Sequence, residues 1–311
     1  MILSLYGPDT YRSRKKLREI IEHYQKVHKS GLNLKCLDGE DLEFEEFKNH
    51  TQQASMFDEK KLIVLSNTFS NKDFQENFIK NAKDFCNSED IYLFYDENKI
   101  SAKDRFLKFL QKEGKCQEFS HLDAQDLKKW LKKEMAEYKV EISPKALDRL
   151  INFVGGDLWQ LSNEIKKLVN FKKGKKIEPE DIETLVKPRI ETDIFGTIDS
   201  IARKNKKRAL ELIHLHLEKG DNPLYLFSMI NFQFRNLLII KDLIEKHSPY
   251  PVILKKSGLH PFVVKKTYQL ADKFTLEDLK KIYQKIFQVD LSIKTGKLKP
   301  EVALDLLIAE I

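Results

Sequence analysis

Two carboxylates close the apolar run "IYLFYDEN", residues 91–98. A strand that ends in an acidic pair such as Asp96-Glu97 can hold magnesium and polarise water in a nucleotide hydrolase. That chemistry needs a phosphate cradle, and the opening "LSLYGPDTYRSRKKLREII" (3–21) has its layout of strand, glycine turn and helix. The content is different. A phosphate loop carries several glycines and ends in Gly-Lys-Ser/Thr, whereas here Gly7 stands alone and Asp9-Thr10-Tyr11 fill the place of the lysine and hydroxyl. Without backbone N–H groups and a lysine around the phosphates, magnesium ligands have little to act on. Acidic turn residues after a buried strand are the plainer reading of Asp96 and Glu97.

The remaining reactive residue types form no constellation. His214 and His216 are two apart on an expected helix, so they point to different faces and cannot share a metal. Cys36, Cys86 and Cys116 are widely spaced, with no Cys-x-x-Cys pair and no histidine at ligand spacing. This argues against a zinc site or a disulfide framework and for a reducing cytoplasm. No serine lies in a Gly-x-Ser-x-Gly elbow. The basic clusters "KKGKK" (172–176) and "RKNKKR" (203–208) read as solvated helix ends or loops before they read as phosphate contacts. The expectation is a chain with no catalytic residues, no metal and no cofactor.

The 311 residues imply two or three domains, at roughly 100–150 residues each. Hydrophobic residues are 41% of the chain and charged residues 33%, so real cores lie under a heavily ionic surface. The net charge of +7 is uneven: −1 over residues 1–120, +2 over 121–187 and +6 over 188–311. A basic last third is compatible with nucleic acid nearby, and equally with a Lys/Glu-rich helical surface. The longest apolar runs, such as "LLII" at 237–240, fall far below the ~20 residues of a membrane span. "MILSLYG" has no charged leader and runs straight into the first strand, which argues against a signal peptide.

Positioning elements follow from periodicity. Leu17, Ile20, Ile21, Tyr24 and Val27 share one face of a helix over about 10–28. "LNLKCLDG" (32–39) is a second strand, and "DLEFEEFKNHTQQA" (41–54) a helix with an acidic first turn, suited to the helix dipole. "KLIVLSN" (61–67) is a continuous apolar run, as in a strand covered on both faces. Helices over 73–85 and 102–114 flank the 90–98 strand, and "CQEFS" (116–120) adds a fifth. Five strands separated by helices describe a parallel, helix-covered sheet.

After His121 only helical signals remain. Asp123 and Ser143-Pro144 start helices, Gly155-Gly156 end one, and another begins near Pro179. "VKPRIETDIF" (186–195) reads as a hinge. "PLYLFSMINFQFRNLLIIKDLI" (223–244) is apolar nearly all round and belongs at the centre of a bundle. His260-Pro261, Thr275 and Pro300 open the last helices.

From "LYGPDTY" to "ALDLLIAEI" the chain resembles the delta-subunit family of the bacterial DNA polymerase III clamp loader. The stretches that carry the resemblance are "LDGEDLEFEEF", "GGDLWQLSNEIKKL", "NPLYLFSMINFQFRNLL", "HPFVVKK" and "IKTGKLKPEVALDLLI". It implies an α/β plus all-α architecture: an AAA-plus-like five-stranded parallel sheet domain (1–120), a small helical lid (121–187) and a C-terminal helical collar (188–311). Delta is the non-hydrolysing member, so the frame of the phosphate loop is kept while its chemistry belongs to sister subunits. In that fold the magnesium carboxylates follow the third strand, here Ser66-Asn67, not the fourth.

The resemblance also implies a role and its residues. Delta binds and opens the ring-shaped beta sliding clamp, inserting two large apolar residues at the end of a Gln-containing motif into a pocket on the clamp. In "TQQASMF" (51–57) these positions are Met56 and Phe57, with Gln53 as polar anchor, or Gln52 if the spacing is one longer. A methionine suits an apolar pocket because its thioether is flexible. On pattern alone Met56-Phe57 would instead be core leading into "KLIVL". The implied partners are the clamp, the gamma/tau ATPase and delta-prime subunits, and primer-template DNA in the assembled complex, with no membrane; the chain is then part of the DNA-directed DNA polymerase holoenzyme without activity of its own. Two other readings stay open from the residues: an active AAA-plus ATPase with an atypical loop at Gly7–Tyr11, and a stand-alone helical nucleic-acid binder.

Overall fold

A computed structural model describes residues 1–28, 32–52, 59–187 and 190–311, with the backbone alone for 190–193. The chain divides into two compact units, Met1–His121 and Leu122–Ile311.

The first unit is a parallel sheet of β1 (Ile2–Tyr6), β2 (Leu34–Asp38), β3 (Leu62–Ser66), β4 (Ile91–Asp96) and β5 (Lys115–Glu118), in the order β2-β3-β4-β1-β5. All four pairings are parallel, with Ile2 opposite Tyr92 and Leu62 opposite Ile91. Strand β3 is buried from Leu62 to Leu65, which is why its sequence is continuously apolar rather than alternating. Between the strands run α1 (Thr10–Val27), α2 (Phe44–Gln52), α3 (Lys72–Lys80), α4 (Ala82–Cys86) and α5 (Arg105–Glu113).

The two faces of the sheet are filled differently. Against α1 lie Leu5, Leu62, Val64, Leu93 and Tyr95 with Leu17, Ile20, Ile21 and Tyr24. Val27, expected on that same face, is instead 60% exposed. The opposite face is aromatic: Phe44, Phe47, Phe74, Phe78, Phe85, Tyr92, Phe94 and Phe106 form one cluster. The helix expected over 73–85 is broken at Asn81, whose backbone N–H and side-chain amide both bond the carbonyl of Asn77. The break lets Phe85 stack on Phe78 with ring centroids 4.6 Å apart.

The second unit is helical among the described residues: α6 (Ala124–Glu137), α7 (Pro144–Val154), α8 (Leu158–Lys172), α9 (Pro179–Leu185), α10 (Ile190–Ala202), α11 (Lys206–Glu218), α12 (Pro223–Glu245), α13 (Tyr250–Lys256), α14 (Pro261–Ala271), α15 (Leu276–Lys294) and α16 (Pro300–Glu310). The caps read from sequence are formed: Asp123 accepts from the N–H groups of Gln125 and Asp126, Ser143 from Ala146 and Thr275 from Asp278. Helix α12 is central and packs on α10, α14, α15 and α16, which explains why it is apolar all round. Of the stretch 186–195 expected as a hinge, residues from Ile190 on are already helical in α10, and 188–189 lie outside the described residues. No helix is long and apolar enough to cross a membrane among the described residues.

Candidate protein-docking site

At the end of β1 the chain turns at Gly7, whose φ of 127° favours glycine. Space demands it as well: a Cβ there would lie 2.5 Å from the carbonyl oxygen of Phe119. Tyr6, Asp9 and Phe119 exchange backbone bonds, with Phe119 N–H on Tyr6 O at 2.7 Å and Asp9 N–H on Phe119 O at 3.0 Å. Asp9 then caps α1. One carboxylate oxygen accepts the N–H of Arg12 at 3.0 Å and the other its Nε at 2.6 Å. Arg12 also donates from Nη2 to the carbonyl of Ser120. With only 4% of Asp9 exposed, the positive end of α1 faces the protein's own carboxylate where a phosphate loop would present it to phosphates. Nearby, burial holds His121 below the ordinary histidine pKa, with Asp9 opposing and Arg12 adding to the effect.

The carboxyl ends of the strands are equally self-satisfied. Asp96 is buried and accepts the N–H of Asn98 at 2.8 Å. Glu97 accepts from Arg14 Nε at 2.6 Å and from the Tyr95 hydroxyl at 2.9 Å, and Arg14 holds its pKa below the usual value. Across a cleft of about 490 Å³, Asn67 sits in left-handed backbone geometry and donates to Asp38 at 3.1 Å. The structure thus brings Asp96 and Glu97 together only as neighbours with separate partners.

The other polar candidates also have structural duties. His214 faces Asp305 at 3.0 Å and His216 faces Asp221 at 2.7 Å, on separate partners as their spacing requires. In the basic clusters, Lys172 pairs with Asp181, Arg203 with Asp199 and Arg208 with Glu211, while Lys206 bonds the carbonyl of Ala309 at the end of α16. Among the described residues no group of three His, Cys, Asp or Glu could hold a metal ion.

Helix α2 is held firmly to its own domain. Phe44 and Phe47 point inward, and the Phe47 ring lies 5.3–6.1 Å from those of Phe44, Phe74, Phe78, Phe85 and Tyr92. Burying two phenylalanines on a nine-residue helix supplies several kcal/mol, roughly 1.5–3 for each ring, which isolated helix propensity could not. The C-terminal end is fixed by the ammonium of Lys61, which bonds the carbonyl of Thr51 and complements the helix dipole. The returning strand is fixed too, since Tyr24 donates its hydroxyl to the carbonyl of Lys60 at 2.6 Å. Gln52 is the last residue of α2 and is exposed. Gln53, Met56 and Phe57 lie outside the described residues. The anchor of Phe44 and Phe47 follows from their spacing in the sequence. The lysine that ties the helix end to the next strand carries no local signal.

Comparison with known proteins gives a concordant result along the chain. A family model for the DNA polymerase III delta subunit matches residues 3–120, one described as a middle domain matches 123–184, and one for the C-terminal domain of the same delta family matches 191–311. The chain is 23% identical over 320 aligned residues to the DNA polymerase III subunit delta of Bacillus subtilis (strain 168), covering 100% of this chain and 92% of that one. It is 23% identical over 307 residues to the probable DNA polymerase III subunit delta of Aquifex aeolicus (strain VF5), covering 93% and 85%. The fold is similar to that of the Bacillus subtilis DNA clamp loader delta protein, with a TM-score of 0.77 at 22% identity, over 99% of this chain and 94% of that structure.

Proposed function

Since this chain belongs to the DNA polymerase III delta-subunit family, we propose that it is the clamp-loader subunit that binds and opens the beta sliding clamp without nucleotide chemistry of its own. The observation that carries this reading is the closed frame after β1, where Asp9 and Arg12 occupy the end of α1 that a nucleotide would need. A subunit that keeps the sheet and fills the phosphate position with its own ion pair is suited to being moved by ATPase neighbours. The gamma/tau and delta-prime subunits are those neighbours, and primed DNA is the substrate of the assembled loader.

The docking element is α2, with Met56 and Phe57 as the apolar wedge beyond its end and Gln53 as the polar anchor. Anchors of this type dominate protein interfaces because they fill desolvated pockets. What supports the assignment is a helix pinned by two phenylalanines and tied at its end by Lys61, able to bear load on the chain that follows. In the same reading residues 1–120 are the sheet domain, 121–187 the lid and 188–311 the collar that joins the ring. The collar assignment is supported by Phe287, 66% exposed, and Leu291 one turn on, an apolar pair on the outer face of α15.

Two titrations of the purified chain test the proposal. Sliding clamp from the same organism should bind it, and magnesium-ATP at millimolar concentration should leave its melting temperature unchanged. Saturable ATP binding, with turnover abolished by Asp96→Asn or Glu97→Gln, would replace this reading with that of an active ATPase.

A further inference from the structure

Two glycines follow α7, and they are there for different reasons. Gly155 has a φ of 83°, and its N–H closes the helix on the carbonyl of Ile151 at 2.8 Å. Gly156 is not in the left-handed region, so its backbone does not call for glycine. What excludes a side chain is the imidazole of His260: a Cβ on Gly156 would lie 2.2 Å from Cε1 and 2.9 Å from each ring nitrogen.

The ring cannot simply turn away. His260 is the N-cap of α14, and its Nδ1 accepts the N–H of Phe262 at 3.2 Å, with Pro261 opening the helix behind it. Close by, Lys266 on α14 donates to the side-chain oxygen of Asn152 on α7 at 3.1 Å. Its ammonium lies 5.9 Å from the Phe262 ring centroid, and burial, followed by the charge of Lys265, lowers its pKa. Helix α7 also packs on α10.

We infer that the helices α6–α9 and the bundle α10–α16 move as a single lever, keyed by the His260 ring on the bare Cα of Gly156 and pinned by Lys266 and Asn152. Residues 122–311, one compact unit, then transmit force as one body. Coupling inside this unit is independent of clamp binding, so either can fail without the other.

The test uses the full chain with its three cysteines changed to serine and spin labels at two exposed positions, Lys132 on α6 and Gln284 on α15. Pulsed dipolar spectroscopy should give one narrow distance peak. Gly156→Ala should lose that peak and lower the melting temperature, whereas an uncrowded site with this backbone would be stabilised by the same change. Adding His260→Ser, which removes the ring and keeps a capping oxygen, should restore the narrow peak. Asn152→Ala, at an exposed position that tolerates truncation, should broaden it as well. A narrow peak in both Gly156→Ala and Asn152→Ala, or a broad one that His260→Ser leaves unchanged, would overturn the inference.

Discussion

The start of α1 and the end of α2 belong to the same sheet domain, and they are finished in opposite ways. At the start of α1 the polar groups turn inward: Asp9 takes two bonds from Arg12, and Arg12 reaches Ser120 near the far end of the domain. Along α2 the apolar groups turn inward, Phe44 and Phe47 in the first half of the helix, and its last turn is tied by Lys61, which bonds the carbonyl of Thr51. A helix N-terminus attracts anions unless something fills it, and at α1 the carboxylate of Asp9 does so. A helix proposed to present the residues beyond its end needs a rigid base, which Phe44 and Phe47 supply.

Phe47→Ala should have the largest effect. The side chain is fully buried among five rings, so its loss should cost about 3–5 kcal/mol of folding free energy. Denaturant unfolding of the full chain measures this. A loss below about 1 kcal/mol would mean that α2 is not held by its aromatic face, since truncated core aromatics cost several times that.

Asp9→Asn comes next. Asparagine still caps α1, but Arg12 loses its charge-assisted partner, at about 1–2 kcal/mol. If the frame is closed by this pair alone, hydrogen exchange should rise at Ser13 and Phe119 and not in α2. Unchanged exchange at both residues would show that the backbone bonds around Gly7 suffice.

Arg14→Gln should be the mildest change, a few tenths of a kcal/mol, because the pair is solvent-screened. Its pH dependence is the useful part. Glu97 has its folded pKa depressed below the ordinary 4.5, so its contribution is present above that value and lost as pH falls through the folded pKa. The difference in melting temperature between the native chain and Arg14→Gln should therefore be constant from neutral pH to about 4.5 and shrink progressively below it as the pH falls through the folded pKa. A difference that does not shrink at all as the pH falls below 4.5 would assign the effect to packing of the arginine stem.

These two ends were not equally legible in the sequence. Phe44 and Phe47 share a face by spacing alone, and the buried run of β3 and the caps at Asp123, Ser143 and Thr275 are local signals that the structure repeats. The clasp at Asp9 was not readable, because Ser120 stands 108 residues from Arg12 and only the closing of the sheet brings them together. The break at Asn81 was missed for a related reason: an asparagine amide competes with helix continuation only where a ring such as Phe85 gains by the turn. Gly155-Gly156 read as a single helix stop, and the partner that demands the second glycine lies in a different helix. As for the proposed docking residues, Met56 and Phe57 have an ordinary core pattern, and only family resemblance sets them apart.

The most direct measurement is therefore made on a Met56→Ala/Phe57→Ala chain, with melting temperature and clamp affinity determined on the same preparation. Two apolar anchors removed from a pocket should cost on the order of 2–4 kcal/mol each, roughly 30- to 1000-fold in affinity for each. This loss should appear in clamp binding and opening while the melting temperature stays at the native value. A markedly lower melting temperature, with the surviving folded chain still binding the clamp at native affinity, would make both residues core and not a wedge.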